Sequence, residues 1–170
     1  MPRDDDTDYT ILRLHMLEKY GQRLTQELIA SEWFILLPFY QTFTVERATY
    51  RNLVQSIEPS KAAWTRNPYS DWIGALIRAD IYGYIFPGNP KAALETAYPD
   101  ATLTHRREGI YGELWAAALI STAFDAYTIE QDLRNSVNFT PQGSELRQAL
   151  ESIIKIYNNA DTCVYSPQMD

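Results

Sequence analysis

Apolar residues recur every three or four positions along much of the chain, which is the spacing of one face of an α-helix. The first such stripe predicts an amphipathic helix over residues 6–20, and Gly21 follows it as the expected stop. The members of the stripe are Tyr9, Leu12, Met16 and Tyr20.

Two further helices are predicted before the middle of the chain. Thr25 is placed to cap a helix that ends before Pro38, and Thr44 is placed to cap one that reaches about Gln55. Residues 56–69 contain two prolines and no clear period. They therefore predict a loop with at most one short turn of helix.

The second half of the chain repeats the pattern of a capping residue followed by an apolar stripe. Ser70 is expected to cap a helix, and Asn89, which precedes a proline, is expected to start a short one. Residues 109–125 predict an alanine-rich helix that can pack closely. Thr128 begins a capping box, and Ser144 opens the last helix.

No stretch alternates between apolar and polar residues strongly enough to predict a strand. The sequence therefore predicts an all-α protein, a compact bundle of six to eight helices. We expect a single domain over residues 1–157 and a frayed tail over residues 158–170.

Composition narrows the possible partners. Fifteen Lys and Arg against 22 Asp and Glu give a net charge of −7, which argues against binding to nucleic acid or to an anionic membrane. No apolar run has the length of a membrane span. Cys163 is the only cysteine, so we expect a reducing, cytoplasmic location. With His15 and His105 as the only imidazoles, a metal here is expected to be a hard cation held by oxygen.

The first candidate for chemistry is an acidic run, with Asp4, Asp5, Asp6 and Asp8 in five positions. Magnesium or calcium would relieve the repulsion between these carboxylates. The alternative is a solvated acidic helix start. An EF-hand is excluded, because its pattern needs a glycine where this chain has Tyr9. A haloacid-dehalogenase-like nucleophile is also excluded, since no buried strand precedes the run.

The second candidate pairs a glycine with an arginine. Gly74 and Arg78 lie one helical turn apart, so a guanidinium beside a missing side chain could admit an anionic ligand. The alternative is a glycine that allows close helix packing and an arginine in an ordinary ion pair.

The third candidate lies at the start of the alanine-rich helix. His105 falls in a polar break, and Tyr111 lies between Gly109 and Gly112 near a helix N-terminus, where an anion is favoured. The alternative is a surface histidine beside a flexible turn.

Taken in order, these segments resemble the ADP-ribosylglycohydrolase family. The resemblance runs from about Asp4 into the 140s. The matching segments are Asp-Asp-Asp-Thr-Asp-Tyr at residues 4–9, Gly-Ala-Leu-Ile-Arg-Ala-Asp at 74–80, Phe-Pro-Gly-Asn-Pro at 86–90, Asp-Ala-Thr-Leu-Thr-His at 100–105 and Gly-Ile-Tyr-Gly-Glu at 109–113.

The resemblance implies an all-α bundle that holds two Mg²⁺ ions and cleaves ADP-ribose from modified proteins or from small ADP-ribosyl compounds. It implies that Asp5 and Asp6 are the catalytic aspartates and metal ligands, with Asp4 in place of the family's first threonine as a further ligand. The substrate-binding residues that it implies are Gly74, Arg78, His105, Tyr111 and Gly112.

Two parts of the family pattern are expected to be missing. One is the helix that precedes the first acidic cluster. The other is the second cluster, for which the nearest match is Asn-Ala-Asp-Thr at residues 159–162, with Asp161 as the metal ligand. The activity as a metal-assisted hydrolase therefore stays open. The alternative is a catalytically inactive module that binds ADP-ribose or a protein, with exposed apolar helix faces available for self-association.

Overall fold

The computed structural model describes residues 4–161, with side chains as far as Asn158, and this part of the chain is helical without strands. The prediction of an all-α protein is therefore confirmed. The α-helices of the described part are α1 (Asp5–Tyr20), α2 (Gln26–Leu36), α3 (Thr44–Val54), α4 (Pro59–Ala62), α5 (Asp80–Tyr84), α6 (Pro90–Thr104), α7 (Arg107–Ala123), α8 (Ile129–Ser136) and α9 (Glu145–Asp161). Short 3₁₀ helices span Gly21–Arg23, Phe39–Gln41, Ile73–Arg78 and Val137–Phe139.

Most helix boundaries follow the capping residues read from the sequence. The side chains of Thr25, Asn89 and Thr128 each accept a hydrogen bond from a backbone N–H in the first turn of the helix that follows. Gly21 ends α1 with a positive φ, which a residue without a side chain adopts at little cost. At α3 the capping position is Phe43, and Thr44 is the first helical residue.

The prediction of a single helix that starts at Ser70 is wrong. A turn, the 3₁₀ helix Ile73–Arg78 and the short α5 replace it. The backbone groups here bond to the junction of α6 and α7: the Ser70 carbonyl accepts from the Arg106 N–H, and the Ala75 N–H donates to His105 Nε2. Because these tertiary bonds use groups that a regular helix needs, the segment cannot form one helix.

The structure also differs from the prediction in the length of one helix and in the number of helices. The helix after Asn89 is not short, since α6 runs for 15 residues and continues through Pro99. The nine α-helices of the described residues exceed the predicted six to eight by one, because the short turn of helix expected within the loop is itself a four-residue α-helix, α4.

Helix α7 lies at the centre of the bundle and packs against α5, α6, α8 and the 3₁₀ helix Ile73–Arg78. Its alanine run, Ala116 to Ala118, is buried, so small side chains allow these neighbours to approach closely. A second part of the core joins α1 and α2, where Tyr9, Met16 and Trp33 are almost fully buried.

Several apolar side chains stay exposed, among them Ile129 on α8 and Ile153 on α9, which border a shared groove. Such faces are compatible with the predicted self-association, which stays a prediction. Within residues 4–161, every helix is too short or too polar to cross a lipid bilayer. Helix α9 continues to Asp161, beyond the predicted domain limit at 157, and the remainder of the predicted tail, with Cys163, lies outside the described residues.

The close contact between α5 and α7 gives a test of this packing. A Cβ atom at Gly83 would lie 2.5 Å from Ile120 Cβ and 2.9 Å from the Ala117 carbonyl oxygen, which cannot move independently of α7. We expect Gly83→Ala to lower the free energy of unfolding by about 1–3 kcal/mol, measured by urea denaturation.

Gly112→Ala on α7 is the matched control. Its added Cβ would meet only Leu76, at 3.4 Å, so we expect no loss of stability. Equal stability of the Gly83 and Gly112 variants would show that α5 and α7 are not packed as described.

Candidate functional site

A buried carboxylate joins two buried arginines at the middle of the molecule. Asp100 on α6 accepts hydrogen bonds from Arg13 Nε at 2.8 Å and Arg13 Nη2 at 2.5 Å, and from Arg78 Nε at 3.0 Å. All three side chains are fully buried. Forked guanidinium–carboxylate bonds of this kind are among the strongest in proteins, so they fix α1 and the 3₁₀ helix to α6.

Arg78 extends this cluster to α3. Its Nη1 donates to Glu46 Oε1 at 2.7 Å, and its Nη2 donates to Thr104 Oγ1 at 2.5 Å. Glu113 of α7 lies 3.8 Å from Arg78 Nη2. Five ionisable side chains from five elements therefore meet in the interior, and we call them the buried charge cluster: Arg13, Glu46, Arg78, Asp100 and Glu113.

The carboxyl groups of the buried charge cluster have different protonation preferences. Burial by itself would raise the pKa of Asp100, but Arg13 and Arg78 outweigh it and hold that pKa well below its usual value. Burial raises the pKa of Glu46 despite the nearby Arg78, and burial together with Asp100 raises the pKa of Glu113 well above its usual value. Asp100 is therefore the carboxylate that balances the two arginines, and Glu113 favours its protonated form.

His105 contacts the same region and is itself buried. Its Nε2 accepts a hydrogen bond from the Ala75 N–H at 3.2 Å, so the ring proton belongs on Nδ1, which donates to Thr104 Oγ1 at 2.6 Å. Burial, with a smaller contribution from Arg78, lowers the pKa of His105 to about 2. The imidazole is therefore neutral, and it holds the 3₁₀ helix against the end of α6.

Gly74 completes this interior region. An added Cβ would lie 2.4 Å from Glu46 Oε1 and 2.9 Å from Val45 Cγ1, so the missing side chain makes room for α3. The structure thus brings Gly74, Arg78 and His105 together, with the side chains of Arg78 and His105 buried in the interior. Their predicted direct contact with a ligand stays a prediction.

The acidic run lies at the beginning of α1, about two turns from Arg13. Asp4 caps the helix by accepting a hydrogen bond from the Thr7 N–H at 2.9 Å. Asp4, Asp5 and Asp8 line an open pocket of about 310 Å³, which we call the acidic pocket. The opposite wall comes from the 3₁₀ helix after α2 and the start of α3, and consists of Tyr40, Gln41 and Phe43.

Asp6 faces different surroundings. It is not among the residues that line the acidic pocket. Burial, followed by the nearby charge of Asp6, raises the pKa of Asp80 at the start of α5. The two predicted catalytic aspartates therefore lie on different sides of the first turn, and only Asp5 borders the pocket.

Tyr111 and Gly112 border separate grooves on α7. Tyr111 lies beside the loop 141–144, and Gly112 lies beside Trp72 and Leu146. Between them, Glu108 accepts hydrogen bonds from the backbone N–H groups of residues 145 and 146 and caps α9. A contact of Tyr111 or Gly112 with a ligand stays a prediction. Asp161 lies in the last turn of α9, and its side chain is outside the described ones.

The described side chains do not match the coordination needs of a magnesium ion. Mg²⁺ requires near-octahedral oxygen ligands at about 2.1 Å. Among the described side chains, no group of three or more Asp, Glu, His or Cys is placed to hold one ion. The described residues therefore do not form the expected two-metal site.

Sequence reasoning missed four members of the buried charge cluster. Arg13 lies on the apolar stripe of α1 between Tyr9 and Met16, and Asp100 lies between the buried Ala97 and Ala101. A charged residue at a position where the helical period requires an apolar one is the signal that could have identified them. Glu46 and Glu113 carry a similar signal. The aromatic wall of the acidic pocket carries no comparable signal, because it forms only where residues 40–43 lie across from the start of α1.

These observations define a helical protein with an acidic pocket at the start of its first helix and two buried arginines that are paired with Asp100. A family model described as ADP-ribosylglycohydrolase matches residues 3–168, nearly the whole chain. The chain therefore belongs to the ADP-ribosylglycohydrolase family, which is typically metal-dependent. No curated protein and no solved structure matches it.

Two conservative substitutions in the buried charge cluster are expected to change the free energy of unfolding by different amounts. Asp100→Asn leaves the buried Arg13 without a carboxylate partner and Arg78 with that of Glu46 alone, and we expect it to lower the free energy of unfolding by about 3–5 kcal/mol at pH 7. Glu113→Gln imitates the protonated form that this site favours, so we expect little change at pH 7. Urea denaturation of both variants checks this, and equal losses would contradict it.

His105 predicts a pH dependence of stability. Its pKa is about 2 in the folded protein and about 6.5 in the unfolded chain, so the unfolded chain binds one more proton between these values. Stability is therefore complete above pH 6.5 and falls by about 1.4 kcal/mol per pH unit below it. We expect His105→Gln to remove this slope between pH 6.5 and 4.5, where Asp100 is still ionised. An unchanged slope would place the titrating group elsewhere.

Proposed function

We propose that this chain acts on ADP-ribosyl compounds and hydrolyses the bond between the ribose and its leaving group, with the acidic pocket as its substrate site. The observation that carries the proposal is the retention of the acidic run on the wall of an open pocket, in a chain that matches the family over residues 3–168. Both ADP-ribosylated proteins and small ADP-ribosyl compounds fall within this substrate class.

The chemistry required is within reach of these side chains. Cleavage at the anomeric carbon of ribose develops positive charge on the sugar, which a nearby carboxylate stabilises. A carboxylate can also take the proton of an attacking water. We assign these tasks to Asp5, which lines the pocket. Asp6 lies on the other side of the first turn, and a catalytic role for it stays a prediction. Asp4 and Asp8 can accept hydrogen bonds from sugar hydroxyls.

The buried charge cluster supports this assignment by fixing the first helix. Arg13 holds α1 to Asp100, and its guanidinium lies 5.3 Å from the ring of Tyr9 and 5.6 Å from that of Trp33. Arg78 and His105 then act as positioning residues, because each is buried and bonded within the protein. A rigid helix start keeps the carboxylates of the acidic pocket in fixed positions.

A second candidate function is binding of an ADP-ribosyl group without cleavage. It is favoured by one observation: the described side chains include no group of three placed to hold a metal ion, in a family that typically depends on one. The two candidates share the pocket and differ only in whether the ribosyl bond is broken.

A release assay combined with titration distinguishes them. Purified protein is incubated with arginine-linked and serine-linked ADP-ribosyl peptides, with and without Mg²⁺, and the released ADP-ribose is quantified. Binding of free ADP-ribose is measured by calorimetry. We expect release by the wild-type chain and a loss of about a hundredfold or more in Asp5→Asn, because a positioned base typically contributes at least this factor.

Glu18→Gln is the matched control, since Glu18 is an exposed carboxylate at the opposite end of the same helix. We expect it to behave like the wild type. Binding of ADP-ribose without release would support the second candidate. Neither binding nor release by a folded sample would contradict both.

A further inference from the structure

The aromatic wall of the acidic pocket has features that a purely acidic site does not need. Tyr40 is 88% exposed and Phe43 is 52% exposed, although both are large aromatic side chains. The ring of Tyr40 is held against Phe39 in an edge-on contact with 5.6 Å between centroids. An exposed aromatic face that is fixed in place is suited to stacking on a flat heterocycle.

A cation lies beside this wall. The guanidinium carbon of Arg47, on the first turn of α3, lies 5.6 Å from the Phe43 ring centroid and 5.8 Å from that of Phe39. Arg47 Nη2 donates to the Tyr40 carbonyl at 3.4 Å, and this long bond is the one hydrogen bond of its side chain within the described residues. The guanidinium is therefore held by two rings while most of its N–H donors remain available.

The pocket also contains an unpartnered acceptor. Gln41 Oε1 is buried but accepts no hydrogen bond from the described residues. An amide oxygen without a donor is costly in the interior, and a hydroxyl group of a bound ligand would satisfy it. This observation is independent of the carboxylates and indicates a ligand that carries hydroxyl groups.

The charges around the acidic pocket determine which parts of an anionic ligand can lie beside each wall. The wall formed by Asp4, Asp5 and Asp8 repels phosphate groups but accepts hydrogen bonds from sugar hydroxyls. Arg47, which contacts Tyr40 and Phe43 of the opposite wall, offers the forked donors that bind phosphate oxygens in pairs. A ligand that carries a sugar, a diphosphate and a purine would match these three kinds of group: carboxylates, a guanidinium and an exposed aromatic ring.

From this arrangement, we infer that Arg47 binds the diphosphate and Tyr40 stacks on the purine of a nucleoside diphosphate sugar in the acidic pocket, with Phe43 as the support for Arg47. This inference rests on the proposed function for the choice of ADP-ribose as ligand. Arg47 on α3 and Tyr40 in the preceding 3₁₀ helix would be the residues that select a nucleotide over a simple sugar.

Titration of wild type and variants with ADP-ribose and with ADP tests the inference. We expect Arg47→Gln to weaken the binding of both ligands by about tenfold or more, and Arg47→Lys to weaken it less. We expect Tyr40→Ala to weaken binding to a similar extent and Tyr40→Phe to preserve it. Circular dichroism and thermal unfolding show whether each variant is folded. If Arg47→Gln or Tyr40→Ala does not fold, the binding of Arg47→Lys and Tyr40→Phe decides the test.

Arg106→Gln is the matched control. Arg106 is also exposed and also lies over an aromatic ring, with its guanidinium carbon 5.2 Å from the Trp64 centroid. Unlike Phe43 beside Arg47, Trp64 does not border the acidic pocket. We expect Arg106→Gln to bind like the wild type. Weaker binding in Arg106→Gln with unchanged binding in Arg47→Gln would overturn the inference and move the ligand to the start of α7.

The outcomes separate this inference from the proposed function. If Asp5→Asn abolishes release while Arg47→Gln and Tyr40→Ala bind like the wild type, the proposed function stands and the inference is wrong. If ADP binds through Arg47 and Tyr40 but no ADP-ribosyl bond is cleaved, the inference stands and hydrolysis is wrong. If neither nucleotide binds to the folded wild type, both are wrong.

Discussion

The pairing of Asp100 with two buried arginines is the interaction on which the rest of this structure depends. A guanidinium has a large free-energy cost in a protein interior unless a carboxylate and further acceptors accompany it. Here Asp100 accompanies both, so α1 and the 3₁₀ helix are each bound to α6. Replacing a well-paired buried cluster with apolar residues can be neutral for stability, so its role here is to fix the relative position of elements.

That fixed interior separates two tasks within the fold. The residues that hold the elements together are buried and bonded to one another, whereas the residues that can meet a ligand lie on the wall of the acidic pocket. Arg13 connects the two regions, because the helix that carries it also begins with the acidic run. The geometry of the pocket therefore depends on contacts that no ligand touches, as is common for sites built on rigid elements.

The sequence predicted the local structure of this protein better than its tertiary contacts. Local signals at Thr25, Asn89 and Thr128 predicted helix starts correctly, because a cap is an interaction between residues three positions apart. The Ser70 segment was predicted wrongly, since its backbone bonds to residues 105 and 106, more than 25 positions away. The same limit applies to the site: the order of the motifs indicated the family, but not that Arg78 and His105 are buried.

The sequence by itself determined the helical class, most helix boundaries, the acidic start of α1 and, through the order of its motifs, membership in the ADP-ribosylglycohydrolase family. Each of these depends on residues that are near one another in the chain. Only the tertiary structure decided that Arg13, Arg78 and Asp100 form one buried cluster and that Tyr40, with Arg47 bonded to its carbonyl, lies across the pocket from the carboxylates of α1. The physical reason is that charge pairing and pocket walls are made between distant segments, and the local pattern of a segment does not specify its partner.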